Sequence, residues 1–534
     1  MSGGGNKPAN LPGRFTDADA NKFLKRGYDA LRTKKFKEAG DCCKLVLKYR
    51  PKAKEAHFLV GLVGIESKDW RTAGQAFKNV VSLDENHAAG WAQLARVYAA
   101  QGQYANAEAA LGRASVLTPD DPLVQDVIGT VYSLIGDQQK ALSWFDKACA
   151  ASKSATFELS RAKSLTFLGD LAGAKIALKR VLGERPATAQ AHWMLSRVQK
   201  AEDDSHIRQM EALVAKEGKA SAGAPFLYYA VGKEREDLGQ WDKAFHAYEA
   251  GAKARRAEVV FDEKAEERLF AALAEIYTPE WLETKREGHT EASPIFVIGQ
   301  PRTGTTLVER IMAAHSDVQS AGELQQFGMA IKRMVAASSS GPLSAEAAVQ
   351  AARLDARKLG QLYLDTTRTV RGDSPRFIDK LPVNYMYAPL IAAAFPNAKI
   401  IHIVRGGMDS CFASYKQLFA DAYYHSYDQI EMARHHIRYR NLMEKWRKVL
   451  GERMLDVRYE DVVEDLPKNA RKLIDFLGLE WQEACVSFHE QSGAVTTASA
   501  AQVREKAHTR SVGRWKKYEE FLGPMKKVLS DAGL

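Results

Sequence analysis

At 534 residues, 46% of them hydrophobic and 27% charged, the chain is long enough for two or more domains with separate cores, and its composition is that of a globular protein. Lys and Arg outnumber Asp and Glu by 76 to 66, a net charge of +10 that suits anionic cofactors or acidic substrates, while no Lys/Arg block is dense enough to argue for a nucleic-acid partner. Cys42, Cys43, Cys149, Cys411 and Cys485 are odd in number and lack Cys-x-x-Cys spacing, which argues against a disulfide framework or a zinc site and fits a reducing compartment.

Residues 1–15 lack the apolar core of a signal peptide and read as a disordered leader; no apolar run elsewhere is long enough to span a bilayer, so the expected location is cytoplasmic. Residues 16–256 carry a repeat. Gly27, Gly61, Ala95 and Gly129 lie 34 residues apart, and Phe36, Trp70, Tyr104 and Gln138 keep the same step, as do Ala39, Ala73, Ala107 and Ala141. The period then slips by one, with Ala162, Leu171 and Ala174 in the corresponding places. The pattern resembles tetratricopeptide repeats, whose small residues let two antiparallel helices approach and whose large ones fill the gap between neighbours; about seven units end near Arg255. Gly102, Gly136 and Gly169 sit where first helices must stop, and Pro51, Pro119 and Pro186 mark turns. In the sixth unit the second helix reads as irregular, because 201–205 and 216–225 are loop-like. Such a solenoid offers a groove for a protein or peptide partner; the alternative is a rigid spacer. Residues 257–293 read as a helical connector broken at Pro279 and Gly288.

In residues 294–534 the chain changes character. Ile295, Phe296, Val297 and Ile298 form an apolar run without polar alternation, the signature of a strand buried on both faces of a parallel sheet. Leu307, Ile311 and Ala314 then fall at helical spacing, with Thr305 and Thr306 placed to cap the helix start. Strand, glycine turn and helix start make an anion cradle to which Arg302 adds a positive charge. The spacing from Gly299 to Gly304 and Thr305-Thr306 matches the P-loop of nucleotide-binding proteins except that Thr305 stands where the P-loop has its Lys, which disfavours a triphosphate ligand. Further apolar runs at 376–379, 399–404 and 454–457 alternate with helical segments and imply a three-layer α/β/α domain on a parallel sheet, with Arg302, Lys380 and Arg405 just past the carboxyl ends of strands, where such sheets bind ligands.

Pro301-Arg302-Thr303-Gly304-Thr305-Thr306, Asp379-Lys380-Leu-Pro, the 395–405 segment ending in Arg405, Arg458-Tyr459-Glu-Asp and Ser511-Val-Gly-Arg514-Trp515 together resemble sulfotransferases that use 3′-phosphoadenosine-5′-phosphosulfate (PAPS). Ser320-Ala-Gly-Glu323 is similar to the Gly-Glu of tyrosylprotein sulfotransferases, the nearest branch in motif. The resemblance implies an α/β sulfotransferase fold with a P-loop-like cofactor site, a hydroxyl acceptor such as a protein tyrosine, PAPS as co-substrate, and no metal. It implies Glu323 as the base for the acceptor hydroxyl and Lys380 as the cation that meets charge on the leaving oxygen, the alternatives being a surface helix glutamate and an ion pair with Asp379. Ser499, in Ser-Ala-Ala-Gln502-Val503, is implied as a donor to the moving sulfonate, with Thr496 and Thr497 as rivals. The same resemblance implies that Pro301, Arg302, Thr303, Gly304, Thr305 and Thr306 hold the 5′-phosphosulfate and that Tyr459 lines the adenosine site, with Arg504 and Arg514 as basic candidates for the nucleotide. The family holds the 3′-phosphate with an Arg and a Ser eight residues later; here Arg405 is followed at that distance by Ala413, and Ser414, one position on, is the expected replacement.

Other readings are a P-loop nucleotide kinase and a catalytically inactive repeat-based scaffold. His435 and His436 are adjacent, so on a helix they point about 100° apart and no third ligand sits at metal-site spacing; Arg434 to Arg440 read as a solvated helix face. The identity of the acceptor and the oligomeric state are not legible in the sequence.

Overall fold

The computed structural model describes residues 15–285, 287–291, 294–335, 343–419, 421–491, 493–497 and 504–534. The expected leader lies, apart from Phe15, outside the described residues. Among the described residues the chain opens with the helices α1 (Asp17–Arg32), α2 (Phe36–Tyr49), α3 (Lys54–Glu66), α4 (Trp70–Leu83), α5 (Ala88–Ala100), α6 (Tyr104–Val116), α7 (Pro122–Leu134), α8 (Gln138–Ala151), α9 (Ala155–Leu168), α10 (Leu171–Glu184), α11 (Ala189–Val198), α12 (Ser205–Glu217), α13 (Ala224–Asp237) and α14 (Trp241–Glu258); α1 packs with α2, α3 with α4, α5 with α6, α9 with α10 and α13 with α14, while α11 and α12 both pack on α13. The repeat registers explain the pairing. Phe36, Trp70, Tyr104, Gln138, Leu171 and Trp241 each begin a second helix, and Ala39, Ala73, Ala107 and Ala141 are fully buried where the helices meet. A Cβ on Gly61 would lie 2.4 Å from the Phe77 ring, so only glycine fits that approach. Gly102, Gly136 and Gly169, at φ of +67°, +94° and +88°, end first helices in the left-handed conformation. In the sixth unit α12 is a regular helix of 13 residues, not an irregular one; the polar run before it forms a turn whose Ala201 N–H donates to Asp237 at 2.9 Å.

The molecule divides into two compact units, one ending at Ile135 and one beginning at Gly136. Within the second unit the last repeats share a core with the α/β domain. Tyr229, Phe245 and Tyr248 pack in one cluster with Phe412, Tyr415, Tyr518 and Leu522, and the Tyr229 hydroxyl donates to the Tyr415 carbonyl at 3.0 Å.

The helices α15 (Glu263–Ile276) and α16 (Pro279–Glu283) precede the sheet, and they are more than a connector: Leu269, Phe270, Leu273, Tyr277 and Leu282 enter the core of the α/β domain, and the break at Pro279 falls between the two helices, where the proline opens α16. There follow β1 (Pro294–Gly299), α17 (Thr305–Ala313), β2 (Val318–Ser320), α18 (Gln326–Met334), α19 (Ala345–Ala351), α20 (Ala356–Thr367), β3 (Arg376–Asp379), α21 (Ala388–Ala394), β4 (Lys399–Val404), α22 (Gly407–Tyr415), α23 (Gln429–Leu450), β5 (Met454–Arg458), α24 (Tyr459–Glu464), α25 (Leu466–Leu477) and α26 (Gly523–Asp531). The five strands form a parallel sheet in the order β2-β3-β1-β4-β5, with Phe296 opposite Asp379 on one side and Ile400 on the other. Because side chains alternate along a strand, Phe296 and Ile298 enter the core on one face and Ile295 and Val297 that on the other, which is why the run carries no polar residue. β2 is only three residues long, too short to stand out in the sequence.

The basic stretch on α23 is half core. Arg434 pairs with Glu263 at 3.2 Å, Arg438 pairs with Glu266 at 2.7 Å, and His435, His436 and Tyr439 are buried. His435 donates through Nδ1 to Glu266 at 2.9 Å, and its ring lies flat on that of His425 with centroids 3.6 Å apart. The donor atoms of Glu266, His425 and His435 lie within 4.8 Å of one another, but Arg438 already occupies the carboxylate and stacked rings do not aim their lone pairs at one point. His436 meets Gln300 at 2.5 Å instead. All five cysteines are free, and among the described residues no helix is long and apolar enough to cross a membrane.

Candidate functional site

The strand order reverses direction between β1 and β4, and the loops leaving these two strands meet at their carboxyl ends, where an open parallel sheet forms its ligand crevice. After β1 the backbone turns through Arg302 at φ +67° and Gly304 at φ +103° into α17. Gly304 is required twice over: a Cβ there would also stand 2.4 Å from the Tyr459 ring. Thr305 and Thr306 begin the helix but do not cap it. Gly304 is the N-cap residue and no side chain accepts from the first turn, so the helix start presents its amides and dipole to the cavity. Thr303 turns its hydroxyl inward to the Gln300 carbonyl at 2.7 Å and closes the loop from within.

Positive charge surrounds this turn. Arg405, 8% exposed, follows β4; one amine donates to the Arg302 carbonyl at 2.9 Å, another to the Ser511 carbonyl at 2.5 Å, and its Nε has no partner among the described residues. Its guanidinium lies 4.7 Å from the centre of the Tyr459 ring. Burial, with Arg197 and Arg405 nearby, pulls Arg302 down to about 10, still charged at neutral pH. Lys416 and Arg514 both pair at 2.8 Å with Glu236 of α13, which also accepts from the Tyr248 hydroxyl. Burial alone would raise Glu236, yet Lys416 and Arg514 outweigh it and hold the carboxyl at about 2.

Pro301, Arg302, Gly304, Thr305, Thr306, Glu323, Arg405, Tyr459 and Arg514 line one cavity. Glu323 lies on its wall in the turn before α18, not on a helix, and Lys380 stands behind it, 0% exposed, with Nζ 2.5 Å from Oε1 of Glu323. Asp379 is not the partner of Lys380. One residue back on the strand, it points into the other layer and accepts from the Tyr363 hydroxyl at 2.9 Å, and burial raises its carboxyl to about 8.

Two residues depart from the expected arrangement. Ser414 is fully buried and donates to the Pro301 carbonyl at 3.2 Å, bracing the loop from behind, while α22 turns Ala413, with Asp409 and Phe412, to the cavity. Arg504 donates at 3.1 Å to the carbonyls of Phe167 and Gly493, tying the C-terminal segment to α9 rather than facing the nucleotide position. Ser499 lies outside the described residues; its rival Thr497 lines the cavity, its hydroxyl 3.4 Å from that of Thr306. Sequence reasoning missed Lys416, Phe419 and Tyr423 on the wall and Asp409, which accepts the Gly513 N–H at 2.7 Å. No periodicity flags Lys416, because its partner Glu236 lies 180 positions away.

Residues 294–483 match the sulfotransferase family and residues 65–129 match a tetratricopeptide repeat. An uncharacterized protein of Aquifex aeolicus is 31% identical over 69% of this chain, which spans only 49% of that relative's length. Protein-tyrosine sulfotransferase 1 of Danio rerio is 25% identical over 48% of this chain and 74% of its own, and a putative protein-tyrosine sulfotransferase of Caenorhabditis briggsae is 25% identical over 41% and 80%. The cradle after β1, with a carboxylate and a buried ammonium at the next strand end, thus coincides with the matched region, and the chain carries a sulfotransferase-family domain preceded by tetratricopeptide repeats.

Proposed function

We propose that the chain transfers a sulfonate group from PAPS to a phenolic hydroxyl, a protein or peptide tyrosine presented with the help of the repeats. The observation that carries this reading is the Glu323–Lys380 pair at 2.5 Å beside the uncapped start of α17. The residues present fit the nucleotide: a glycine-only cradle, a helix N-terminus, a buried Arg405 Nε without a partner, and Arg302, Lys416 and Arg514 around it. Bound there, PAPS supplies a sulfonate joined to phosphate through an oxygen that leaves with the electron pair of the broken S–O bond.

Each protein group then has one task. Glu323 takes the proton of the acceptor hydroxyl as that oxygen bonds to sulfur. Lys380, uncovered when Glu323 turns to the acceptor, offsets the charge left on the bridging oxygen. The start of α17, Thr306 and Thr497 donate to anionic oxygens, with Ser499 a further donor, while Tyr459 and Arg405 hold the adenosine 3′-phosphate end. Phe419 and Tyr423, ring centres 4.8 Å apart on the wall beside Glu323, suit an aromatic acceptor. No metal enters these steps, and the absence of a Lys at Thr305 speaks against a kinase. Five free cysteines support placing the protein in the cytoplasm. With this proposal goes a domain division into a 16–256 solenoid, a 257–293 connecting segment whose apolar side chains join the transferase core, and a 294–534 transferase.

The test is binding and turnover together. The protein should bind adenosine 3′,5′-bisphosphate and turn over PAPS with a simple phenol, while ATP with magnesium binds at least about tenfold more weakly. Glu323→Gln should keep nucleotide binding and lose a factor on the order of 10² to 10⁴ in kcat. A variant within threefold of wild type removes Glu323 as the base, and preferential binding of magnesium ATP favours the kinase.

A further inference from the structure

Behind the Glu323–Lys380 pair lies a second carboxylate that the transfer reaction as described does not use. Glu309, on α17 one turn after Thr305, is only 4% exposed. A core-facing helix position ordinarily takes an apolar side chain, because burying a carboxylate is costly unless it is paired and hydrogen-bonded. Glu309 is both. Its Oε2 lies 3.8 Å from Lys380 Nζ, and its Oε1 accepts from the Ser320 hydroxyl at 2.5 Å. The Ser320 oxygen in turn accepts the Gly322 N–H at 3.1 Å, and the Gly322 carbonyl accepts the Lys380 N–H at 2.9 Å. The contacts form a closed circuit from Glu309 through Ser320 and the Gly322 backbone to Lys380 and back. Glu323 follows directly on Gly322, whose φ of +76° makes the turn that aims it.

The two carboxylates on this ammonium differ in one respect that matters for chemistry. The Glu323 side chain is 39% exposed and faces the cavity, whereas that of Glu309 is 6% exposed and sealed behind. A base must leave the ammonium to reach an acceptor proton. Without Glu309, the departure of Glu323 would leave a Lys side chain that is 1% exposed as a buried charge with no counter-ion, a costly state. Asp379 cannot take over, being bonded to Tyr363 in the opposite layer and, at about 8, protonated at neutral pH. Burial holds the Glu309 carboxyl above its ordinary value, against Lys380 and the Ser320 hydroxyl, which draw it down.

We propose that Glu309 is a positioning residue for transfer: the standing counter-ion of Lys380 and, through Ser320, the anchor of the Gly322–Glu323 turn, so that Glu323 can swing to the acceptor without stranding a buried ammonium. This rests on Glu323 and Lys380 acting as proposed above. In Glu309→Gln, kcat should fall about 30-fold or more while KM for the phenol and Kd for adenosine 3′,5′-bisphosphate stay within about threefold, because the residue touches neither ligand. In a Glu323→Gln background the same change should cost less than about threefold, since its benefit acts through Glu323. An additive loss, or a Glu309→Gln kcat within threefold of wild type, overturns the proposal. If Glu309→Gln does not fold, Ser320→Ala, which removes the anchor and leaves the ion pair, should still lower kcat by about fivefold or more with unchanged nucleotide affinity, and an unchanged kcat overturns the anchoring role. A second readout needs no turnover. Hydrogen exchange at the Gly322 amide in the full-length protein should quicken on the order of tenfold in both variants, with exchange along β4 unaltered; wild-type protection in both refutes the anchor even if no phenol is a substrate. Failure of the wild type to use PAPS sinks the transferase reading and leaves this readout to decide Glu309.

Discussion

Single residues at this site are tuned by what burial leaves around them. Glu236 belongs to a repeat helix yet takes its charge state from Lys416 and Arg514 on the cavity wall. Its carboxyl sits at about 2 in the fold against an ordinary 4.5, so the unfolded chain binds its proton more readily than the folded one. That difference stabilises the fold fully above pH 4.5 and is lost as pH falls toward 2, a contribution of about 3 kcal/mol by linkage. Glu236→Gln should therefore cost about this much in urea unfolding at pH 7 and far less near pH 2. An equal cost at both pH values would mean that packing, not charge, is what the residue supplies. Lys380 and Asp379 make the complementary point: neighbours in sequence, they face opposite layers because strand side chains alternate, and one keeps ionic partners while the other is pushed toward its neutral form.

At the scale of the element, helix phase decides what a hydroxyl can do. Residues 413 and 414 differ by about 100° around α22, and that rotation sends Ala413 to the cavity and Ser414 to the Pro301 carbonyl. Under the proposed function a serine placed at 413 would face the 3′-phosphate, while Ser414 braces the loop at Pro301. Ala413→Ser is expected to tighten adenosine 3′,5′-bisphosphate about tenfold and to leave adenosine 5′-phosphosulfate, which lacks the 3′-phosphate, within twofold, because a hydrogen bond to a charged group is worth about 1.5–3 kcal/mol. Ser414→Ala should weaken both ligands alike by disturbing the shared loop. A selective loss of the 3′-phosphate ligand in Ser414→Ala would instead restore that serine as the contact. The same logic of phase and length explains the elements themselves. The 34-residue step placed a large residue at the start of second helices, and the unbroken run of β1 announced a strand with a core on each side. Strand β2, three residues long, and the regular α12 behind a polar turn carry too little periodic signal to be read that way.

For the whole molecule, where the chain can be cut matters more than where its motifs change. Tyr229, Phe245 and Tyr248 share a core with Phe412, Tyr415 and Tyr518, and Glu236 neutralises two wall cations. A chain beginning at residue 257 loses all of these and exposes the apolar remainder, so it should aggregate or melt well below the full-length protein. One beginning at Gly136 keeps the compact unit and should retain turnover of a simple phenol within about threefold while losing efficiency on a protein acceptor. Thermal melts and steady-state kinetics of the two chains separate the cases: a stable, active chain from 257 would show that the shared core is dispensable. Full efficiency of the Gly136 chain on the protein acceptor would make the first repeats a spacer.

By itself the sequence determined whatever depends on local spacing. The repeat period, the buried character of β1, the glycine turn into α17 and the strand-end positions of Lys380 and Arg405 all follow from residues a few places apart, whose geometry the backbone dictates. Only the tertiary structure decided which charges meet. Glu309, Ser320, Glu323 and Lys380 come from three separate stretches and become one circuit only once β3 pairs with β2 alongside α17. Glu236 reaches Lys416 across 180 residues and Arg504 reaches Phe167 across 337. Such contacts leave no mark on local pattern because burial, which makes an ion pair strong or costly, is a property of the packed molecule and not of any segment of it.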